Sequence, residues 1–301
     1  MIVKDQPSSL HLFYEMQGSI VPRIAGKILA VACLSLIVVF VDAYLLALPR
    51  ISVPAMGIFG VALSLFLGFR NNAAYDRWWE ARILWGTMLA DVRSLGRDAM
   101  LFIRDADERR ALMNHAVASV HLHRGDLRGV NAGEDAAKWV GADIAQALAQ
   151  HHRPADAALR GATAHLAALA DQGKLSGFGQ MTLANRLASL TLSQAGCERI
   201  ANTPLPFVYS LLVRRTTYLY CWLLPFALLD AADIFAPIFA AVVAYVFFGL
   251  QAVTNELEMP FRNVENGLPL DAICRAIESA AAEAMGDEAP PPVTAIDHIL
   301  T

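Results

Sequence analysis

The chain alternates between blocks with almost no polar residues and long stretches in which polar and apolar residues recur at helical spacing. Residues 28–48 are apolar apart from Ser35 and Asp42. At about 1.5 Å of rise per residue, this block reaches across a hydrocarbon core of about 30 Å as a single helix. It lies too far from Met1 and runs too long for a removable leader. Residues 53–69 form a second block that opens on Pro54. A third runs over 216–229, interrupted by Pro225 and beginning near Phe207, and a fourth over 234–253 contains no charge. The pattern predicts four transmembrane helices.

Residues 70–202 read differently. Apolar positions recur with a period near 3.6, nothing alternates like a strand, and Gly, Pro and His clusters punctuate the helices. Helices are expected over 70–103 (continuing the second span), 107–124, 134–150, 155–170 and 178–200, with another starting near Leu270. The predicted fold is all-α. Its expected organisation is a cytoplasmic N-terminal segment (1–27), transmembrane helices 1 and 2 (28–69), a cytoplasmic helical region (70–205), transmembrane helices 3 and 4 (206–255) and a cytoplasmic C-terminal segment (256–301). The tail after Gly286, with three consecutive prolines, is expected to be mobile or pinned on a neighbour. No internal repeat is visible, which counts against transporters built from inverted halves.

The most informative pattern lies where the second block turns polar. At 100° per residue, Val61, Leu65, Phe69, Asn72 and Asp76 fall within about 80° of one another. One stripe therefore runs from aliphatic to aromatic to amide to acid. Lipid gives no reason for such grading, whereas a water-filled axis that is narrow in the membrane and wider beyond it does. Around such an axis Val61, Leu65 and Phe69 would stack as apolar rings able to gate by dewetting, with Asn72 and Asp76 lining the path beyond. Gly57, Gly60, Ala62 and Gly68 would let backbones approach closely there. For an arbitrary apolar stripe, packing within one subunit is the ordinary explanation. The amide and acid on the same face argue against it, because a packing seam has little use for either.

Composition agrees with a membrane protein. Apolar residues make up 56% of 301 and charged residues 17%, against about 45–50% and about 25% in soluble chains. A net charge of -4 gives no reason to expect a nucleic-acid partner. Lys4, Arg23 and Lys27 precede the first span, while the connection of the third and fourth, Asp230-Ala231-Ala232-Asp233, has no positive charge. By the positive-inside rule both termini are expected in the cytoplasm.

Candidate chemistry changes the picture little. Cys33, Cys197, Cys221 and Cys274 are scattered, which suggests neither disulfides nor zinc, and buried small residues are the plainer reading. His121 and His123 point apart on a helix and His151-His152 sits at a breaker, so solvated residues are expected and no metal site. No nucleotide-loop, metalloprotease, redox or nucleophile-elbow motif occurs. No catalytic residue, cofactor or enzyme activity is expected. Arg77-Trp78-Trp79-Glu80 sits where a helix leaves the membrane. Trp78 suits an interfacial anchor, and Arg77 could lock to Glu256 or Glu258. In Thr203-Pro204-Leu205-Pro206-Phe207, two prolines force an extended approach that can project Leu205 toward an axis, or simply stiffen the entry turn.

Together Gly68-Phe69, Arg77-Trp78-Trp79-Glu80, the 204–209 run Pro-Leu-Pro-Phe-Val-Tyr, Glu258-Met259-Pro260-Phe261 and the 266–271 run Asn-Gly-Leu-Pro-Leu-Asp resemble the bestrophin family. The match spans nearly the whole chain, in the family's order, and the short length is similar to bacterial members. The resemblance implies a homopentameric channel with one axial pore, a neck at Val61, Leu65 and Phe69 and a cytosolic aperture at Leu205. Calcium-gated members carry a glycine and an acidic cluster after Pro-Phe. Here Arg262 replaces the glycine and Glu265 is the only acid before Asp271, so no calcium clasp, or a very weak one, is expected. The expected function is passage of monovalent ions across the inner membrane by a multi-pass, lipid-embedded channel. Acid rings at Asp76, Asp230 and Asp233 lean it toward cations such as Na+, as in bacterial relatives. A chloride channel, as in vertebrate bestrophins, is the alternative; a membrane scaffold or signalling protein with a non-conducting pore is the rival from another class, and a secondary transporter a weaker third.

Overall fold

The computed structural model of the chain describes residues 1–4 and 18–301, so residues 5–17 of the N-terminal segment assigned above lie outside the described residues. Among the described residues the fold is all-α, with ten helices and no strand: α1 Val21–Tyr44, α2 Val53–Phe102, α3 Ala106–Arg128, α4 Gly133–Val140, α5 Ala142–Ala149, α6 Pro154–Asp171, α7 Gly177–Asn202, α8 Phe207–Ala232, α9 Ala236–Leu257 and α10 Leu270–Met285. The helices divide between two compact units. Of the described residues, one holds 18–78 and 204–259, the other 1–4, 79–203 and 260–301.

The first, apolar unit contains α1, the first half of α2, α8 and α9. Among the described residues three stretches are long and apolar enough to cross a membrane: Val21–Tyr44, Val53–Phe102 and Phe207–Leu257. The last comprises α8 and α9, joined by a 3-10 turn at Asp233–Phe235. α1 packs along α9 and α8, and α8 along α9. Their core includes Ile24, Leu63, Leu67, Val213, Cys221, Ala240, Ala244 and Phe248. Gly60 admits the Tyr220 ring, whose hydroxyl oxygen would lie 2.8 Å from a Cβ added there, while Gly57 and Gly68 have open space beside them. Gly60 thus serves packing within the chain.

In the second, polar unit α3 is central, packing on α6, α4 and α10. Local chemistry sets its ends. The Asp105 carboxylate accepts from the Asp107 amide at 2.9 Å, and Gly129 at φ 66° stops the helix. Ser176 caps α7 by accepting from the Gly179 amide at 3.2 Å. The single helix expected over 134–150 is broken at Gly141, where φ 86° and ψ 159° leave helical space. The C-terminal tail lies on its own chain: the Val3 amide donates to the His298 carbonyl at 2.9 Å and the Leu300 amide to that of Met1 at 2.8 Å.

The expectation of solvated histidines on α3 fails. His121 and His123 are both buried. The His121 ring stands 2.8 Å from the Glu278 carboxylate, and the His123 ring stacks on Trp85 with centroids 5.6 Å apart. Their two-residue separation puts them on different sides of α3, but α3 is covered on more than one side. Burial and the nearby Arg153 charge push His123 down to about 3. Burial alone would raise the Glu278 carboxyl, but the His121 hydrogen bond and the Arg275 charge hold it below the usual range. Cys197, Cys221 and Cys274 are buried, as small apolar residues would be, and Cys33 is exposed.

Candidate functional site

Helix α2 presents two opposite faces within the apolar unit. Met56, Gly60, Leu63, Leu67, Arg70 and Ala74 recur at three- and four-residue intervals and are all buried, with Leu67 and Ala74 at 0% exposure. About 180° away, Val61 is 64% exposed, Leu65 57% and Phe69 63%, and Asn72 and Asp76 are exposed as well. The five residues of the graded stripe therefore share one outward face of the subunit. None is used to pack α2 against α1, α8 or α9. Among the described residues Asp76 joins no ion pair, so its charge is unmatched within the subunit.

What holds that face outward is a polar anchor on the opposite side. Arg70 is only 3% exposed, and its guanidinium donates at 2.9 Å to both the Glu258 carboxylate and the Asn255 side-chain oxygen. Arg77 donates through Nε to the Glu258 carbonyl at 3.3 Å. Thr254 donates to the Asn71 side-chain oxygen at 3.3 Å, and Arg23 of α1 pairs with Glu256. Arg77 thus meets Glu258 through the backbone, while the carboxylate itself is taken by Arg70. A buried charge with its partner in place tolerates one rotational setting of a helix; leaving the partner alone costs several kcal/mol. Arg70 follows Phe69 directly, so the last apolar side chain of the stripe and its anchor lie on adjacent residues. The sequence signal for this role was a lone cation on an otherwise apolar face.

Leu205 lies between the two prolines in the non-helical link from α7 to α8 and is half-buried. Four residues on, the Tyr209 hydroxyl donates to the Phe66 carbonyl at 2.9 Å, tying the first turn of α8 to α2 beside Leu65. In the remaining motif, Trp78 stacks on Tyr75 with centroids 6.4 Å apart, Trp79 is exposed and Glu80 pairs with Arg199. At the other end of the apolar unit, Arg50 bridges Asp42 and Asp230, the latter at 2.9 Å. That pairing offsets part of the charge of one of the two acids expected to form outer rings, since Asp230 shares the guanidinium with Asp42; Asp233 remains exposed. Among the described residues there is no group of His, Cys, Asp and Glu able to hold a metal ion.

Comparison with known proteins agrees over nearly the whole chain. A family model described as Bacterial/Fungal Bestrophin protein matches residues 1–283. The chain is 45% identical over 292 residues to the voltage-dependent anion channel-forming protein mll4386 of Mesorhizobium japonicum, covering 97% of this chain and 94% of that one. It is 36% identical over 290 residues to the voltage-dependent anion channel-forming protein YneE of Escherichia coli, covering 96% and 95%. Its fold is similar to the crystal structure of a bacterial bestrophin homolog from Klebsiella pneumoniae, with a TM-score of 0.85, 32% identity, and coverage of 88% of this chain and 99% of that one.

Proposed function

The chain belongs to the bestrophin family of ion channels, not to an enzyme family, and from that premise we propose that it forms a homopentameric channel whose axis is lined by the outward face of α2. The observation that carries this reading is the exposure of Val61, Leu65 and Phe69 in register with Asn72 and Asp76, opposite a fully packed face. Five copies of each apolar residue make a neck; partly dehydrated monovalent ions pass it, run by the Asn72 and Asp76 rings and leave at a cytosolic aperture formed by Leu205. Four helices per subunit, α1, the start of α2, α8 and α9, cross the bacterial inner membrane among its lipids. Both termini and the regions 70–205 and 256–301 lie in the cytoplasm. The Arg77 to Glu80 motif holds the exit of α2 at the interface.

Selectivity leans toward cations such as sodium, because symmetry multiplies the unmatched Asp76 carboxylate fivefold while the stripe carries no cation. The anion reading is favoured by a different observation: the relatives mll4386 and YneE are named anion channel-forming proteins, and the pairing of Asp230 with Arg50 weakens the outer acid ring. Purified protein in planar bilayers under an NaCl gradient decides between the two. A reversal potential near the sodium equilibrium value is expected, moving toward zero in Asp76→Asn; a value near that of chloride establishes the anion channel. Phe69→Ala and Leu205→Ala should each raise conductance, and unchanged current in both removes the neck and aperture assignments.

A further inference from the structure

One face of α8 carries charge where the rest of its outer surface is apolar. At 100° per residue Arg214, Tyr218, Trp222 and Arg215 fall within about 100° of one another. Arg214 and Arg215 are exposed, and Trp222 is 57% exposed. Lys27 of α1 joins this face, its ammonium 5.3 Å from the Phe248 ring centroid and 5.9 Å from that of Tyr218. The ion pairs of the apolar unit among the described residues join Arg23 to Glu256, Arg50 to Asp42 and Asp230, and Arg70 to Glu258. None uses these three cations. α8 carries no acid before Asp230. Among the described residues, three cations and two amphipathic rings thus meet on a surface with no carboxylate paired to them.

Their depth is informative. From Arg214 to the end of α8 at Ala232 the helix runs about 27 Å, and from Lys27 to the end of α1 at Tyr44 about 26 Å. Both are close to one hydrocarbon thickness of about 30 Å, which puts the cations at a membrane boundary, with Tyr218 about 6 Å and Trp222 about 12 Å further into the membrane. Leu219, on a neighbouring flank of α8 and deeper than the cations, is exposed and suits acyl chains. A cation at this level is stable only against water or an anion, and the anion available there is a phosphate ester.

We propose that Lys27, Arg214 and Arg215 form a binding site for the headgroup phosphate of an anionic phospholipid, with Tyr218 bedding its glycerol region and Trp222, about 12 Å further along α8, beside its acyl chains. Guanidinium groups suit phosphate oxygens because their planar donors can engage two at once. The full chain in detergent should retain phosphatidylglycerol in preference to phosphatidylcholine when titrated and read by native mass or thermal shift. At about 1 kcal/mol per cation near an anionic headgroup, Lys27→Gln should weaken phosphatidylglycerol about fivefold and the double change Arg214→Gln/Arg215→Gln about 30-fold, with phosphatidylcholine unaffected. Arg214→Lys/Arg215→Lys should keep most of the preference. Equal binding of the two lipids, or a preference unchanged in both glutamine variants, overturns the site. Inorganic phosphate reproducing the whole shift overturns the lipid as its source. If the glutamine variants instead alter the oligomer mass with lipid preference intact, the cations belong to a subunit interface and the proposal is wrong.

Discussion

The apolar and polar units place their charges by opposite rules. In the apolar unit the ion pairs gather at helix ends, Arg70 with Glu258 near one and Arg50 with Asp42 and Asp230 near the other, and the exposed flanks of the helices between them are mainly apolar. In the polar unit pairs are distributed between helices: Arg124 reaches Asp135 and Asp271 at 2.7 and 2.9 Å, Arg128 reaches Asp271 at 2.6 Å, and Arg110 holds Asp287. Its core is correspondingly tight, with Ala116, Ala118, Ala155, Ala158 and Ala162 all fully buried. The difference follows from the surrounding medium. Where water covers the outside, ion pairs are individually cheap to place and many small ones accumulate. Where lipid does, each charge needs a dedicated partner, so a single pair can fix the setting of a whole helix.

The sharpest way to break that contrast is to remove one partner from each unit. Arg70→Met leaves the Glu258 carboxylate buried and alone, for an expected loss of about 3–5 kcal/mol, and Arg70→Met/Glu258→Leu should recover most of it, because the pair itself is worth little beyond satisfying its own burial. Unfolding in detergent of the single and double variants measures this. Equal loss in both means that Arg70 acts through packing alone. Next in size is Gly60→Val, which drives a side chain into Tyr220 and should separate α2 from α8 at a cost of about 1–3 kcal/mol, relieved in part by Tyr220→Phe.

In the polar unit the corresponding test is pH. His123 titrates in the folded chain at about 3, below its ordinary value of 6.5. The unfolded chain therefore binds the proton first, so stability is complete above about pH 6.5 and declines as pH falls toward 3, by about 2 kcal/mol at pH 5. His123→Phe should flatten that part of the profile of melting temperature against pH. An unchanged slope assigns it to other groups, such as Glu278. The smallest effect is expected at the exposed Arg50 bridge. Asp230→Asn should leave the unfolding transition nearly unchanged and shift the reversal potential less than Asp76→Asn does, because its charge is exposed to water and partly offset by Arg50.

Much of this was legible along the chain because helical period and hydrophobicity are local properties. The all-α class, the apolar blocks and the stripe from Val61 to Asp76 need only the order of residues and 100° per step. The early start of α1 at Val21, well before the apolar block at residue 28, was missed because Arg23 and Lys27 break the apolar run. Their partners, Glu256 and the rings of Tyr218 and Phe248, are distant in sequence. Gly141 did not stand out among the residues of 134–150, since nothing local says which glycine takes a non-helical φ. The motif around Arg77 pointed to Glu256 and Glu258 at the end of α9, yet not to Arg70 as the residue that takes the Glu258 carboxylate.

By itself, then, the sequence determined that the helices form, which of them suit lipid, and that one side of α2 differs from the others. Only the tertiary structure decided that the graded side faces away from its own subunit, that His121 and His123 are covered by α10 and α2 and not by water, and that Gly60 receives Tyr220. The physical reason is the same in each case. Period and polarity fix what a helix face contains, but whether that face meets lipid, water or protein depends on the burial of residues far away in the chain, and a buried charge such as Arg70 specifies its setting only once Glu258 is in place.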